Sequence, residues 1–148
     1  MIGMTIQGDQ ELERRLLNLE RNTAKKVIRK ASRKALKPIL SSAKQNAKNM
    51  VGGTMGTLLA AGLVLRAFRK QRKGSFGLNI RLKAAIQEFI HIAKDGTRYY
   101  IPAAIEYGHD SAAAIPFMRA AFEADKSKTI VIMHNEIWAG IKLVARIS

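Results

Sequence analysis

Between Asn22 and Asn49 the chain carries nine Lys or Arg and no Asp or Glu, and no other stretch restricts the fold as much. At 100° per residue, Lys26, Lys30, Arg33, Lys37, Lys44 and Lys48 fall within about 60° of one another, a helical stripe roughly 33 Å long. Ala24, Ile28, Ala31, Ala35, Ile39 and Ala43 recur at spacings of three and four on the opposite side. One face is therefore suited to burial and the other to negative charge. A solvated lysine face is the plain alternative. Solvated faces usually mix signs, because Glu–Lys pairs at i,i+4 support a helix and like charges there weaken it. Six like charges in line favour a polyanionic partner. Pro38 lies inside the run, removes a backbone donor and crowds the carbonyl of Lys34, so a kink or two consecutive helices are expected.

The distribution of charge sharpens this. The formal net charge is +15 over 148 residues. Residues 1–83 hold 19 Lys+Arg against 4 Asp+Glu, and residues 84–148 hold 7 of each, so the whole excess sits in the first part. Nucleic acid, an anionic membrane or an acidic protein would each complement such a surface. The length and a hydrophobic fraction of 47% fit one domain with a real core. There is no cysteine, which excludes a disulfide, a thiolate nucleophile and a cysteine zinc site and fits a reducing cytoplasm. The N-terminus has no basic region followed by an apolar core, so no signal peptide is expected. The longest uncharged run, Asn49 to Leu65, is 17 residues and is too short and polar for a membrane span.

Taken in order, Met4–Gln7 reads as a short edge strand. Asp9 is a good N-cap for a helix carrying Leu12, Leu16 and Leu19 and ending near Arg21. Asn22 or Thr23 can cap the basic helix that follows. Asn49–Gly62 is rich in glycine and threonine and reads as a hinge or assembly loop with one helical turn at Thr57–Ala61. It lacks the Lys-Ser/Thr of a phosphate-binding loop. Leu63–Arg69 and Phe76–Leu82 alternate as strands and form a hairpin whose basic tip holds Arg69, Lys70, Arg72 and Lys73, a candidate docking loop. Ile86–Ile92 and Arg98–Ile101 flank Asp95-Gly96, a second hairpin signal. Pro102 suits the first turn of a helix ended by Gly108. Pro116 opens another, burying Phe117, Ala121 and Phe122. In the last segment Ile130, Met133, Ile137, Ile141 and Val144 or Ala145 share a helical face, although Ile130-Val131-Ile132 leaves a strand open at its start. The expected class is α+β in a single domain. A helical region (9–49) with a long basic helix packs on a small antiparallel sheet of three to four strands (63–101), followed by a C-terminal helical region (102–148).

Reactive chemistry finds little support. His91, His109 and His134 stand apart from one another without metal-ligand spacing. Glu106 and Asp110 are the closest carboxylates near a turn, and a helix C-terminus is a poor setting for a general acid, so they read as surface charges. Ser32, Ser41 and Ser42 lie on the basic helix without a nucleophile-elbow context. There is no aromatic platform of the RNA-binding kind and no helix-turn-helix spacing. No catalytic residue, metal or cofactor is expected, and the chain reads as a structural or binding protein rather than an enzyme.

Two stretches taken together carry a family resemblance. One is Gln10-Glu11-Leu12 through Leu19, then Lys25-Lys26-Val27-Ile28-Arg29-Lys30-Ala31 and Lys34-Ala35-Leu36-Lys37-Pro38-Ile39. The other is Tyr99-Tyr100, then Ala104-Ile105-Glu106-Tyr107-Gly108 and Ile115-Pro116-Phe117-Met118-Arg119-Ala120-Ala121-Phe122. In this order they resemble the tail-completion, or head–tail joining, proteins of lambda-like long-tailed phages. Met55-Gly56-Thr57-Leu58 stands where that family often has a proline and Thr-Gly-Xaa-Leu, and Ala113, Ala114 and Ala120 stand where it often has extra Pro and Arg. The resemblance implies a small α+β neck component of the virion, made in the host cytoplasm. Such components form a homo-oligomeric ring between the head connector and the tail tube or tail terminator, around the DNA channel. Its implied partners are further copies of itself, those proteins and the DNA, with no membrane. A free-standing basic nucleic-acid-binding protein is the alternative of another class.

Overall fold

The computed structural model describes residues 10–19, 21–68, 77–83 and 86–147. The Met4–Gln7 strand, the Asp9 cap and the docking-loop residues Arg69, Lys70, Arg72 and Lys73 lie outside them. Helix α1 (Gln10–Leu17) and helix α2 (Arg21–Asn46) open the described chain. Helix α2 runs through Pro38 as one 26-residue element, not as two consecutive helices. A turn of π-helix (Ala47–Val51) leads into α3 (Gly53–Gly62). Strands β1 (Leu63–Ala67) and β2 (Leu78–Leu82) follow, then β3 (Ile90–Ile92), β4 (Arg98–Tyr100), α4 (Ile101–Tyr107) and α5 (Phe117–Ile147).

The class is α+β, but the strands do not join one three-to-four-stranded sheet. They form two separate pairs, β1 with β2 and β3 with β4. Bonds from Phe68 N to Gly77 O (3.1 Å) and from Lys83 N to Gly62 O (2.9 Å) bracket the first ladder. Leu78, Asn79 and Ile80 are all buried, so β2 is covered on both faces despite its alternating sequence. In the second pair Ile90, His91 and Ile92 face Tyr100, Tyr99 and Arg98, antiparallel. Its turn forms as Asp95-Gly96 signals. Gly96 takes φ 83°, the left-handed region open to glycine, and its N–H reaches Ala93 O at 2.9 Å. The Thr97 N–H donates to Asp95 Oδ1 at 2.9 Å. That bond, and the Thr97 hydroxyl behind it, hold the Asp95 carboxyl below the usual aspartate range.

The chain divides into two units, residues 1–38, 65–80 and 126–148 in one and residues 39–64 and 81–125 in the other. The core of the first gathers Leu12, Val27, Ala31, Ile137 and Ile141, with Leu19, Met133, Trp138 and Val144 packed against it. Gly140 lets helices meet closely there, since a Cβ on it would lie 2.6 Å from Val27 Cγ1. In the second unit Ile39, Leu59, Leu63, Phe89 and Phe117 are fully buried. Gly56 is buried as well, and a Cβ there would sit 2.5 Å from Ala47 O. The glycine-rich stretch is thus a helix packed backbone to backbone on the π-turn, not a hinge loop. The C-terminal segment is one 31-residue helix, with Ile130-Val131-Ile132 inside it and no strand at that point. Thr129 is fully buried there, while Ile130 is 44% exposed.

Candidate polyanion interface

The buried side of α2 matches its periodicity. Ala31, Ala35, Ile39 and Ala43 are at most 1% exposed, and Ala24 and Ile28 are half-buried. Val27 and Leu36 are buried beside them, so the apolar stripe is wider than the alanine spacing indicates. In the first unit this burial turns Lys26, Lys30, Arg33 and Lys37 outward, and all four are exposed. None of the four has an ion pair among the described residues. Lys34, off the stripe, differs, because its Nζ meets Glu136 Oε1 at 2.5 Å. Exposed, uncompensated and on one helical face, the four cations keep their full charge available to an anionic surface.

The other two members of the stripe lie in the second unit. Lys44 is half-buried and Lys48 exposed. Lys48 falls in the π-turn, where the residue spacing is no longer that of an α-helix, so the count that placed it on the stripe stops short of it. Nearby, the Ser42 hydroxyl donates to Asp125 Oδ2 and Asn46 Nδ2 donates to Phe117 O at 3.1 Å. Ser42 is thereby committed to structure, as is Ser32, whose hydroxyl donates to Met133 Sδ at 3.7 Å in the first unit.

Glu106 is no surface charge. It is 5% exposed, and its carboxylate receives the Met118 N–H at 3.0 Å and the Arg119 N–H at 2.9 Å. Those are two of the orphan donors at the start of α5. Arg119 closes the arrangement, with Nε 3.2 Å from Glu106 Oε1, Nη2 2.6 Å from Glu106 O, and its guanidinium 5.2 Å from the Tyr107 ring centre. Gly108, at φ 75°, turns the chain where a Cβ would lie 2.8 Å from Ala114 N. The Ile115 N–H then returns to Ile105 O at 2.7 Å. A sequence signal for this existed. The residues before α5, Ala112-Ala113-Ala114-Ile115-Pro116, include none of the usual capping side chains, so the cap has to come from elsewhere. The carboxylate is occupied by these donors and its role is structural.

The histidines occupy separate settings. His91 lies on the exposed β3, His109 Nδ1 accepts the Ser111 N–H at 3.2 Å, and His134 Nε2 accepts Trp138 Nε1–H at 3.1 Å. Among the described residues no group of three His, Cys, Asp or Glu could hold a metal ion, and no helix is long and apolar enough to cross a membrane. Comparison with protein-family models, curated proteins and solved structures finds no match.

Proposed function

We propose that this protein is a structural neck component of a long-tailed phage particle, a ring that completes the tail and joins it to the head connector around the DNA channel. The observation that carries the reading is the exposed face of Lys26, Lys30, Arg33 and Lys37, uncompensated among the described residues. Such a face suits DNA or an acidic ring protein and asks for no reacting group. The resemblance adds support, because its second stretch is one structural device in which Glu106 ties Ala104–Gly108 to the start of α5. The proposed partners are further copies of the chain, the tail tube or tail terminator, the head connector and the DNA. Location in the virion and a local bend at Pro38 belong to the same proposal.

Electron micrographs of phage tails mixed with the purified protein test it, alongside sedimentation with and without DNA. The expected result is added density at the head-proximal end of the tail, from a protein that is monomeric or weakly associated alone, since its charge opposes self-association. A protein that ignores tails and shifts DNA as a monomer or dimer would favour the free-standing nucleic-acid binder instead.

A further inference from the structure

The β3–β4 hairpin leaves large apolar side chains uncovered, Ile90, Ile92, Tyr99 and Tyr100 among them. Both strands are exposed along their whole length, with Ile92 at 58% and Tyr99 at 53%. A two-stranded hairpin alone is marginal in water and gains stability when strands are added. Its edges are open too. The Ala93 N–H bonds to Thr97 O at 2.9 Å. In the observed register, narrow and wide pairs alternate, so His91 and Tyr99 bond each other while Ile90, Ile92, Arg98 and Tyr100 aim their backbone groups outward. Of these, the Ile90 N–H is already taken by Gln87 O. Tyr100 is the N-cap residue of α4, which leaves Ile92 on one edge and Arg98 on the other, each with N–H and C=O free among the described residues. Such edges are templates for a further strand.

Charge indicates the occupant. The chain as a whole carries +15, yet residues 84–105 hold only Lys94 and Arg98 against Glu88 and Asp95, a balance of zero. Two copies can meet here with little of the repulsion felt elsewhere on the molecule, and a polyanion gains nothing from this surface. A foreign strand would use one edge and leave the other bare. A second copy in head-to-tail addition uses both, β4 of one against β3 of the next, and each copy offers the same two edges onward. We infer that the exposed β3–β4 hairpin is a self-association surface on which the β4 edge of one copy takes the β3 edge of the next, extending the sheet between subunits. Head-to-tail addition of this kind closes into a ring when the rotation per subunit allows. The inference supplies an interface for the proposed neck ring and rests on that reading for closure alone.

The chain has no cysteine, so introduced thiols report only on themselves. Copies carrying Ile92→Cys are mixed with copies carrying Arg98→Cys and treated with a thiol cross-linker spanning about 7 Å, two residues along a strand. The reaction is run in about 1 M salt, where the Debye length is about 3 Å and net charge repels least. The expected result is a cross-linked dimer several-fold more abundant in the mixture than in either variant alone. It should be lost when both partners also carry Ile90→Lys, with circular dichroism unchanged. Equal yields from Ile92→Cys alone would overturn head-to-tail pairing in favour of a two-fold contact. Yields no greater than from the exposed control Ser127→Cys would overturn self-association and leave the edge to a foreign strand. Rings seen on tails without this cross-link would sink the hairpin interface while leaving the neck reading intact. Cross-linked copies that never bind tails would do the reverse.

Discussion

Two residues put the energetics of single atoms to the test. Thr129 is fully buried, and its Oγ1 has no hydrogen-bond partner among the described residues. An unsatisfied buried hydroxyl costs about 1–3 kcal/mol. Thr129→Val removes it and keeps the branched shape, so the variant should be more stable by about 1 kcal/mol. The urea midpoint should rise with an unchanged slope, and a midpoint that falls would show the hydroxyl to be satisfied. Gly56 runs the other way. Alanine in a helix interior is favoured over glycine by about 1 kcal/mol, but here its Cβ would strike Ala47 O at 2.5 Å. A carbonyl of the packed π-turn cannot rotate aside as a flexible side chain can, and overpacking costs about 1–3 kcal/mol. The clash should win, making Gly56→Ala destabilising in the same urea titration, while a stabilised variant would refute the close packing.

Among the elements, α5 depends most on a residue outside itself. Glu106→Ala should strip the Met118 and Arg119 amides of their acceptor, and loss of a cap plus a charge-assisted bond amounts to about 2–4 kcal/mol. Arg119→Ala should cost about 1 kcal/mol or less, because that side chain is half exposed and its ion pair is screened. Thermal unfolding of both variants checks the order, and equal losses would contradict the capping role. The sequence revealed such elements unevenly. The three-and-four spacing of Ala31, Ala35, Ile39 and Ala43 announced the buried face of α2, since helical period and burial are directly linked. Asp95-Gly96 announced its hairpin because the turn is built from local bonds. Both hairpin partnerships, β1 with β2 and β3 with β4, were legible, but their separation into two sheets was not, because alternation identifies a strand without naming a neighbour beyond its own hairpin. Gly56 fell in a stretch that reads as a loop, because composition does not separate a glycine needed for a turn from one needed for close approach. Ile130–Ile132 stayed helical against their local preference because packing outweighs propensity. Of the candidate interface, the outward face Lys26–Lys37 was legible. Its continuation was not, since half-burial of Lys44 depends on non-local contacts and the π-turn alters the spacing at Lys48.

For the whole molecule, the account stands on the outward face of α2 acting as one set of charges. Single changes such as Lys30→Ala should be nearly silent, because an exposed charge contact is worth about 0–1 kcal/mol. Reversing three fully exposed members, Lys30→Glu, Arg33→Glu and Lys37→Glu, changes the local charge by six units and leaves Ala31, Ala35 and the rest of the buried face untouched. Lys44 is best spared, since it is half-buried and its loss would mix folding with function. The triple variant should keep its circular dichroism spectrum and unfold within about 1 kcal/mol of the parent. The most direct measurement is the yield of joined, infectious particles when this variant is the only copy supplied to the phage. The account predicts filled heads and free tails with few joined particles. A normal yield from a folded triple reversal would contradict it, leaving the basic stripe as a solvated helix face.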